Sequence, residues 1–382
     1  MALYRTRHVS KYVEDYYGFF ISWFWLSATP IIKYNRLSLY GIASILLMIN
    51  AYVCVATIII DIFAVPHDLQ YMVENTRVAV PASNALWFHF IISFHKSEIT
   101  ELMAFQWEGF ETTVLGPMTL LLPRIQPMTV KTNIVFFGIH SIYSFLRVIL
   151  TKTRQLAVNS YWGFDVTPSP IYQLIFVAQY CMEWICFMLF FGFTGFYAYT
   201  VATACSHLET LREDLIRTKE SSDIKKHLQK CIRHHQKILA YVGLVEKVSS
   251  PVLLGQFLLI LGGMCLSAFS AAMSWRSPLH IAQAFLVYSS FVAQLFVYCW
   301  FGSELSDELQ LVSEAAYNSD WVGIPLSEQR SIQFIIVAAN KEVLLTAGKF
   351  VPATRKTMQN VINQTISFLM FLINVSNDDV QV

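Results

Sequence analysis

The chain has 382 residues, of which 55% are hydrophobic, 15% aromatic and 14% charged. A soluble domain of this size carries about 25% charged residues, so there is too little charge here to coat a water-facing exterior. The net charge of +1 and mean hydropathy of +0.47 exclude a nucleic-acid binder, which needs a basic excess, and point to a multi-span membrane protein.

The first fifteen residues mix charged and apolar side chains, ending Lys11-Tyr12-Val13-Glu14-Asp15. They lack a signal peptide's apolar core and small-residue cleavage site, so the amino terminus is expected to stay in the cytosol. Tyr16–Ile32, rich in Phe and Trp and carrying Thr29-Pro30, reads as an interfacial or re-entrant segment. Residues 1–38 therefore form an amino-terminal unit.

A spanning helix needs about 20 mainly apolar residues, and seven stretches meet or approach that. They are Leu39–Phe63, Met72–Phe94, Thr129–Leu150, Gln173–Thr200, Val252–Trp275, Ile281–Gly302 and Thr357–Val375. The second is interrupted by Asn75, Arg77 and Pro81, the seventh by amides. The expected fold is all-α, with seven transmembrane helices.

With the amino terminus inside, segments 1–38, 95–131, 203–250 and 303–356 carry 5, 3, 9 and 5 basic residues, 22 of the 27 in the chain. That bias selects a cytosolic amino terminus, with 377–382 as an extracellular tail. It opposes the orientation of a G-protein-coupled receptor. The inner segment 203–250 repeats Leu208, Leu211 and Leu215, then Ile224, Leu228, Cys231 and Ile232, at helical spacing. Amphipathic extensions of spans four and five should result. With 303–356, which carries Ile332–Leu345, they would build a cytosolic helical anchor base.

Several clusters carry two readings. Thr357, Asn360, Gln364, Ser367, Phe371 and Asn374 fall on one face of the last span. Such a row suits a wetted channel wall with Phe371 as an apolar constriction, or polar glue between helices. Glu183 in the fourth span and His140 in the third are costly at membrane depth; they mark function or a structural pair, with Arg147 as another partner for Glu183. His227, Cys231 and His234 share a helical face but lack a fourth ligand for zinc, so no metal is assigned. Glu304, Asp307 and Glu308 could collect cations at an inner mouth or form a solvated face. The seven cysteines are scattered and odd in number, which argues against a disulfide framework. Sequons at Asn363 and Asn374 lie in or near the bilayer. No phosphate loop, metalloprotease helix or nucleophile elbow is present, so no enzyme and no cofactor are expected. No internal repeat supports a transporter.

The carboxy-terminal third resembles the insect odorant receptor family. The resemblance rests on Tyr298-Cys299-Trp300-Phe301-Gly302-Ser303-Glu304-Leu305, Ala315-Ala316-Tyr317, Trp321, Arg330, Ala347-Gly348-Lys349-Phe350 and Ser367-Phe368-Leu369-Met370, in that order. It implies a subunit of a tetrameric odorant-gated nonselective cation channel, in the plasma membrane of olfactory sensory neurons. A tuning subunit joins a shared co-receptor there, and the seventh helices line the pore. The co-receptor's fourth-to-fifth inner segment is much longer than residues 203–250, which points to a tuning subunit. A gustatory-type channel is the neighbouring alternative, but Ser367-Phe368 and Asn374-Val375 depart from the gustatory Thr-Tyr and closing Gln-Phe pairs. Phe371 departs from the family's aliphatic gate, and favours a mixed assembly.

The resemblance also implies an odour pocket in the outer half of the bundle, between spans two, three, four and six. There the sequence offers Met72, Asn75, Pro81, Phe137, His140, Ser141, Ser144, Phe145, Tyr180, Trp184, Phe285 and Tyr288. Aromatic walls with few hydroxyls suit a small volatile, aromatic or heterocyclic, although one face of each helix must instead serve ordinary packing. Gln364, Ser367, Phe371 and Asn374 are the pore and gate candidates.

Overall fold

The computed structural model describes residues 2–31, 39–64, 69–107, 110, 112, 114–151, 156–273 and 278–380, and among these not the side chains of 2–12, 69–70, 74, 77, 147–148, 150–151, 272–273, 279–280 and 372–380. In chain order the elements are α1 (Ala2–Leu26), α2 (Leu39–Ala64), α3 (Leu69–Phe94), α4 (Lys96–Met103), α5 (Pro117–Thr151) and α6 (Ile171–Ile216). After a short 3-10 turn come α7 (Ile224–Met273), α8 (Pro278–Asn318), α9 (Leu326–Ala339), the strands β1 (Thr346–Ala347) and β2 (Val351–Pro352), and α10 (Arg355–Val380). Six of the seven predicted spans fall within a helix of at least 26 residues, namely α2, α3, α5, α6, α8 and α10, and the fifth, Val252–Trp275, lies in α7 as far as Met273, its last two residues being outside the described ones. Among the described residues, α2, α6, α7 and α8 are long and apolar enough to cross a membrane by composition.

The α2 helix shows how the sequence sorts its faces. Gly41, Ser44, Met48, Ala51, Val55, Ile58 and Ile62 recur at alternating steps of three and four and are buried. Ile42, Ile45, Leu46, Ile49, Val53 and Ile60 point outward and are exposed. Bulky aliphatics outside, opposite an inner face that mixes Gly41, Ser44 and Ala51 with larger apolar residues, depart from the soluble pattern, as expected where lipid replaces water and small residues let helices approach closely.

The central element is α6, against which α1, α2, α3, α5, α7 and α8 all pack. At 46 residues and 1.5 Å per residue it is about 69 Å long, more than twice a hydrocarbon core of about 30 Å. The 50-residue α7 matches it, so the amphipathic stretches continue their spans as unbroken helices. Leu208, Leu211, Leu215, Leu228, Cys231, Ile238, Val242 and Val245 are buried where the two extensions meet, and α9 packs on α8 and α7 beside them.

The aromatic segment of α1 does more than lie along a surface. Tyr17, Phe20, Trp23 and Phe24 are buried; Phe20 meets Phe196 edge-on at 5.7 Å, and the Trp23 indole N–H donates to the Met188 carbonyl at 2.7 Å. Tyr16 and Trp25 stay exposed. All seven cysteines are free.

A small β-hairpin interrupts the all-helical plan before α10, pairing Thr346 with Pro352 and Ala347 with Val351. Its turn places Gly348 and Lys349 at positive φ, 60° and 65°, a conformation natural to glycine. The Gly348 N–H donates to the Ser250 carbonyl at 2.9 Å, and the Thr346 N–H to Glu246 at 2.9 Å. The Ala-Gly-Lys-Phe fragment is thus a peg fixing the start of α10 to α7.

Candidate functional site

The helices α3, α5, α6 and α8, the four implied by the resemblance, enclose a cavity of about 100 Å³. Pro81 comes from α3 and His140 from α5; Glu183, Cys186, Phe187, Phe190 and Phe191 come from α6, and Gln283, Val287 and Ser290 from α8. Spacing explains the lining: 183, 187 and 190, like 283, 287 and 290, follow the i, i+4, i+7 rule of one helix face. Glu183 is 5% exposed, and His140 Nε2 lies 3.2 Å from its Oε1. That distance makes an ion pair when the imidazole is protonated, and among the described residues neither carboxylate oxygen has a hydrogen-bond partner. Arg147, the other partner considered, has a side chain outside those described.

Of the sequence-proposed pocket residues, His140 and Pro81 line this cavity. Phe137, Phe145, Tyr180 and Trp184 come together elsewhere, in an aromatic seam between α5 and α6. Ring centroids are 5.0 Å apart for Phe137–Trp184 and 5.8 Å for Phe145–Tyr180. Trp184, Phe145 and Phe285 are exposed on the outer surface. Ser141 bonds back to the Phe137 carbonyl at 2.7 Å, and Ser144 is buried without a hydrogen-bond partner among the described residues. Asn75 donates to Asp61 at 2.6 Å. Met72 and Tyr288 are half-buried against the core. Residue type hid the cavity: an aromatic ring facing lipid costs nothing, so Phe and Trp do not mark the inside. The Glu183, Gln283 and Ser290 positions do, since polar groups at membrane depth turn inward.

Below the cavity runs a buried chain of amides and hydroxyls. Asn84 donates to Gln256, and Gln256 to Gln294. Gln294 donates to the Thr194 hydroxyl at 2.7 Å, which meets the Tyr298 hydroxyl at 3.0 Å. Four helices, α3, α7, α8 and α6, are stitched together in this way. One turn further along α8, Gly302 lies against the Ala353 carbonyl, where a Cβ has no room. The Ser303 hydroxyl accepts the Arg355 N–H at 2.8 Å, and the Arg355 guanidinium spans Glu304 at 2.6 Å and Asp307 at 2.8 Å. Glu308 pairs with Arg212 at 2.6 Å. The acidic cluster is thereby committed to arginines, Glu304 and Asp307 clamping the start of α10 and Glu308 holding α6.

Along α10, Asn360, Gln364, Ser367 and Phe371 are exposed, Phe371 at 59%. Thr365 is buried, and Val361 and Ile362 pack against the body of the chain. An open groove of about 820 Å³ runs between α10 and α7, with Gln364, Ser367 and Phe371 on one wall and Leu258, Leu261 and Cys265 on the other. The Asn374 side chain lies outside the described residues. Towards the base, the drawn zinc triad is split. His227 Nε2 contacts the Asp214 carbonyl at 2.7 Å, whereas His234 turns to His207 at 3.3 Å.

A bundle of long apolar helices with a cavity between them and a terminal helix bearing an exposed polar row defines a multi-span helical membrane protein. A family model described as 7tm Odorant receptor matches residues 120–366, well over half of the chain, and the chain belongs to that family. It is 24% identical to Odorant receptor 10 of Aedes albopictus over 56% of this chain and 59% of that protein. To Odorant receptor Or2 of Anopheles gambiae it is 25% identical, over 56% and 60%. These matches span about three fifths of either relative's length; one to Odorant receptor 30a of Drosophila melanogaster, at 22% identity, covers 83% of this chain and 86% of that one. The fold matches the insect olfactory receptor OR5 from Machilis hrabei, solved in complex with eugenol. The TM-score is 0.76 at 16% identity, over 96% of this chain and 99% of that one.

Proposed function

We propose that this chain is the odour-binding tuning subunit of a heteromeric, odorant-gated, nonselective cation channel, assembled with a co-receptor. The amino terminus lies in the cytosol and the carboxy terminus outside, in the plasma membrane of olfactory sensory neurons. The observation that carries this reading is the row Asn360, Gln364, Ser367 and Phe371, which α10 leaves exposed, the last three along the open groove beside α7. A polar row that only glued a helix to its neighbours within the chain would be turned inward, as Thr365 is.

The cavity supports the recognition half. It opens onto the four helices, and α8 leads from its wall to the Ser303 and Arg355 clamp on α10. A cavity near 150 Å³ holds benzene, so at about 100 Å³ an odorant of that size must spread α3, α5, α6 and α8. A ligand can favour the open arrangement only through higher affinity for it; spreading that shifts α8 and draws α10 outward supplies the difference. Co-expression with a co-receptor, followed by current recording across an odour panel, tests the proposal. Odour-evoked cation current is expected, and its absence from a surface-expressed pair overturns it.

A further inference from the structure

Resting on that reading, we infer that the cavity between α3, α5, α6 and α8 selects small amines, with Glu183 as the recognising group. A carboxylate offers about four acceptor sites, and burying one without donors is costly. Glu183 is 5% exposed, both of its oxygens lack a hydrogen bond among the described residues, and it lines the cavity. His140 Nε2 lies 3.2 Å away without making a hydrogen bond to it. A neutral or acceptor-only occupant such as a hydrocarbon or an ether leaves the carboxylate in this state.

An ammonium group supplies what is missing. Its N–H donors satisfy the carboxylate oxygens, and the Phe187, Phe190 and Phe191 walls offer ring faces to a cation. Size narrows the class further. At about 100 Å³, against about 150 Å³ for benzene, the cavity takes short-chain or five-membered-ring amines with the least expansion.

The test uses three rings of one shape: pyrrolidine, tetrahydrofuran and cyclopentane, applied to the chain co-expressed with a co-receptor. Pyrrolidine should evoke half-maximal current at a concentration at least about tenfold below the other two, roughly 1.4 kcal/mol of discrimination. Glu183→Gln, checked for surface expression, should abolish that preference, and Glu183→Asp should retain part of it. The wild-type ring series decides alone if either variant fails to reach the surface. Equal or weaker potency for pyrrolidine while a broad odour panel evokes current overturns the amine assignment and leaves the receptor reading intact. Silence to the broad panel as well overturns the receptor reading itself.

Discussion

His207 and His234 show how much of a residue's chemistry is set across the chain. Trp107 stacks on His207 at 3.6 Å, and Phe110 on His234 at 4.5 Å, so the segment before α5 is clamped onto the α6 and α7 extensions. Burial, then His234 and Lys237, holds His207 down to about 3; burial, then Lys230 and Lys237, holds His234 down to about 4. Both are neutral in the fold and protonate more readily unfolded, where the usual value is about 6.5. Their contribution is complete above about pH 6.5 and is lost as pH falls towards 4, each bound proton steepening the loss by about 1.4 kcal/mol per pH unit. Thermal unfolding of the detergent-solubilised protein should therefore show a melting temperature that drops between pH 6.5 and 4.5. His234→Gln should flatten that drop, and an unchanged slope counts against the clamp. The helical spacing of His227, Cys231 and His234 was legible, as was their shared face; that His234 faces a partner 27 residues away on α6 was not. Periodicity gives the direction of a side chain, never what lies opposite.

Among the elements, the long helices were readable because twenty apolar residues have few alternatives, and the basic residues flanking them fixed the expected order of inner segments. The Asn84–Gln256–Gln294–Thr194 chain was not, since each member is one amide or hydroxyl in an apolar run, and only the packing of α3, α7, α8 and α6 joins them. Gln294→Leu should expose its importance. It orphans the Gln256 amide in a buried place, at a cost of about 1–3 kcal/mol, while Thr194 keeps the Phe190 carbonyl and the Tyr298 hydroxyl. Membrane-embedded bonds measured singly are worth about 0.6 kcal/mol, so a drop above that value signals an orphaned group rather than one lost bond. Thermal unfolding in detergent reads it, and a drop no larger than a single bond's worth returns the chain to a set of independent contacts. At Gly302 the expectation is sharper still. Gly302→Leu drives a side chain into the Ala353 carbonyl, so surface expression should fall severely, whereas Gly243→Ala, with open space around it, should express normally.

For the whole molecule, the decisive feature is a terminal helix that one chain leaves largely uncovered. Gln364, Ser367, Ile366, Phe368, Met370 and Phe371 are all exposed on α10, so polar and apolar sectors must meet different surroundings. In an assembly whose last helices surround an axis, the polar sector meets water and the apolar sector meets lipid or neighbouring subunits. Single cysteines separate these sectors. The native background is favourable, with five cysteines buried and two half-buried. Gln364→Cys and Ser367→Cys should react with a charged thiol reagent, faster during odour stimulation, and the reaction should alter the current. Thr365→Cys, 1% exposed in the chain, should stay unreactive, and Met370→Cys should react only with an apolar reagent. Phe371→Ala removes an apolar ring from the proposed constriction, and resting current should rise; normal expression with unchanged resting current removes Phe371 from the proposed gate. Equal inertness of positions 364 and 367 at rest and under stimulus would mean that no ion path runs along α10.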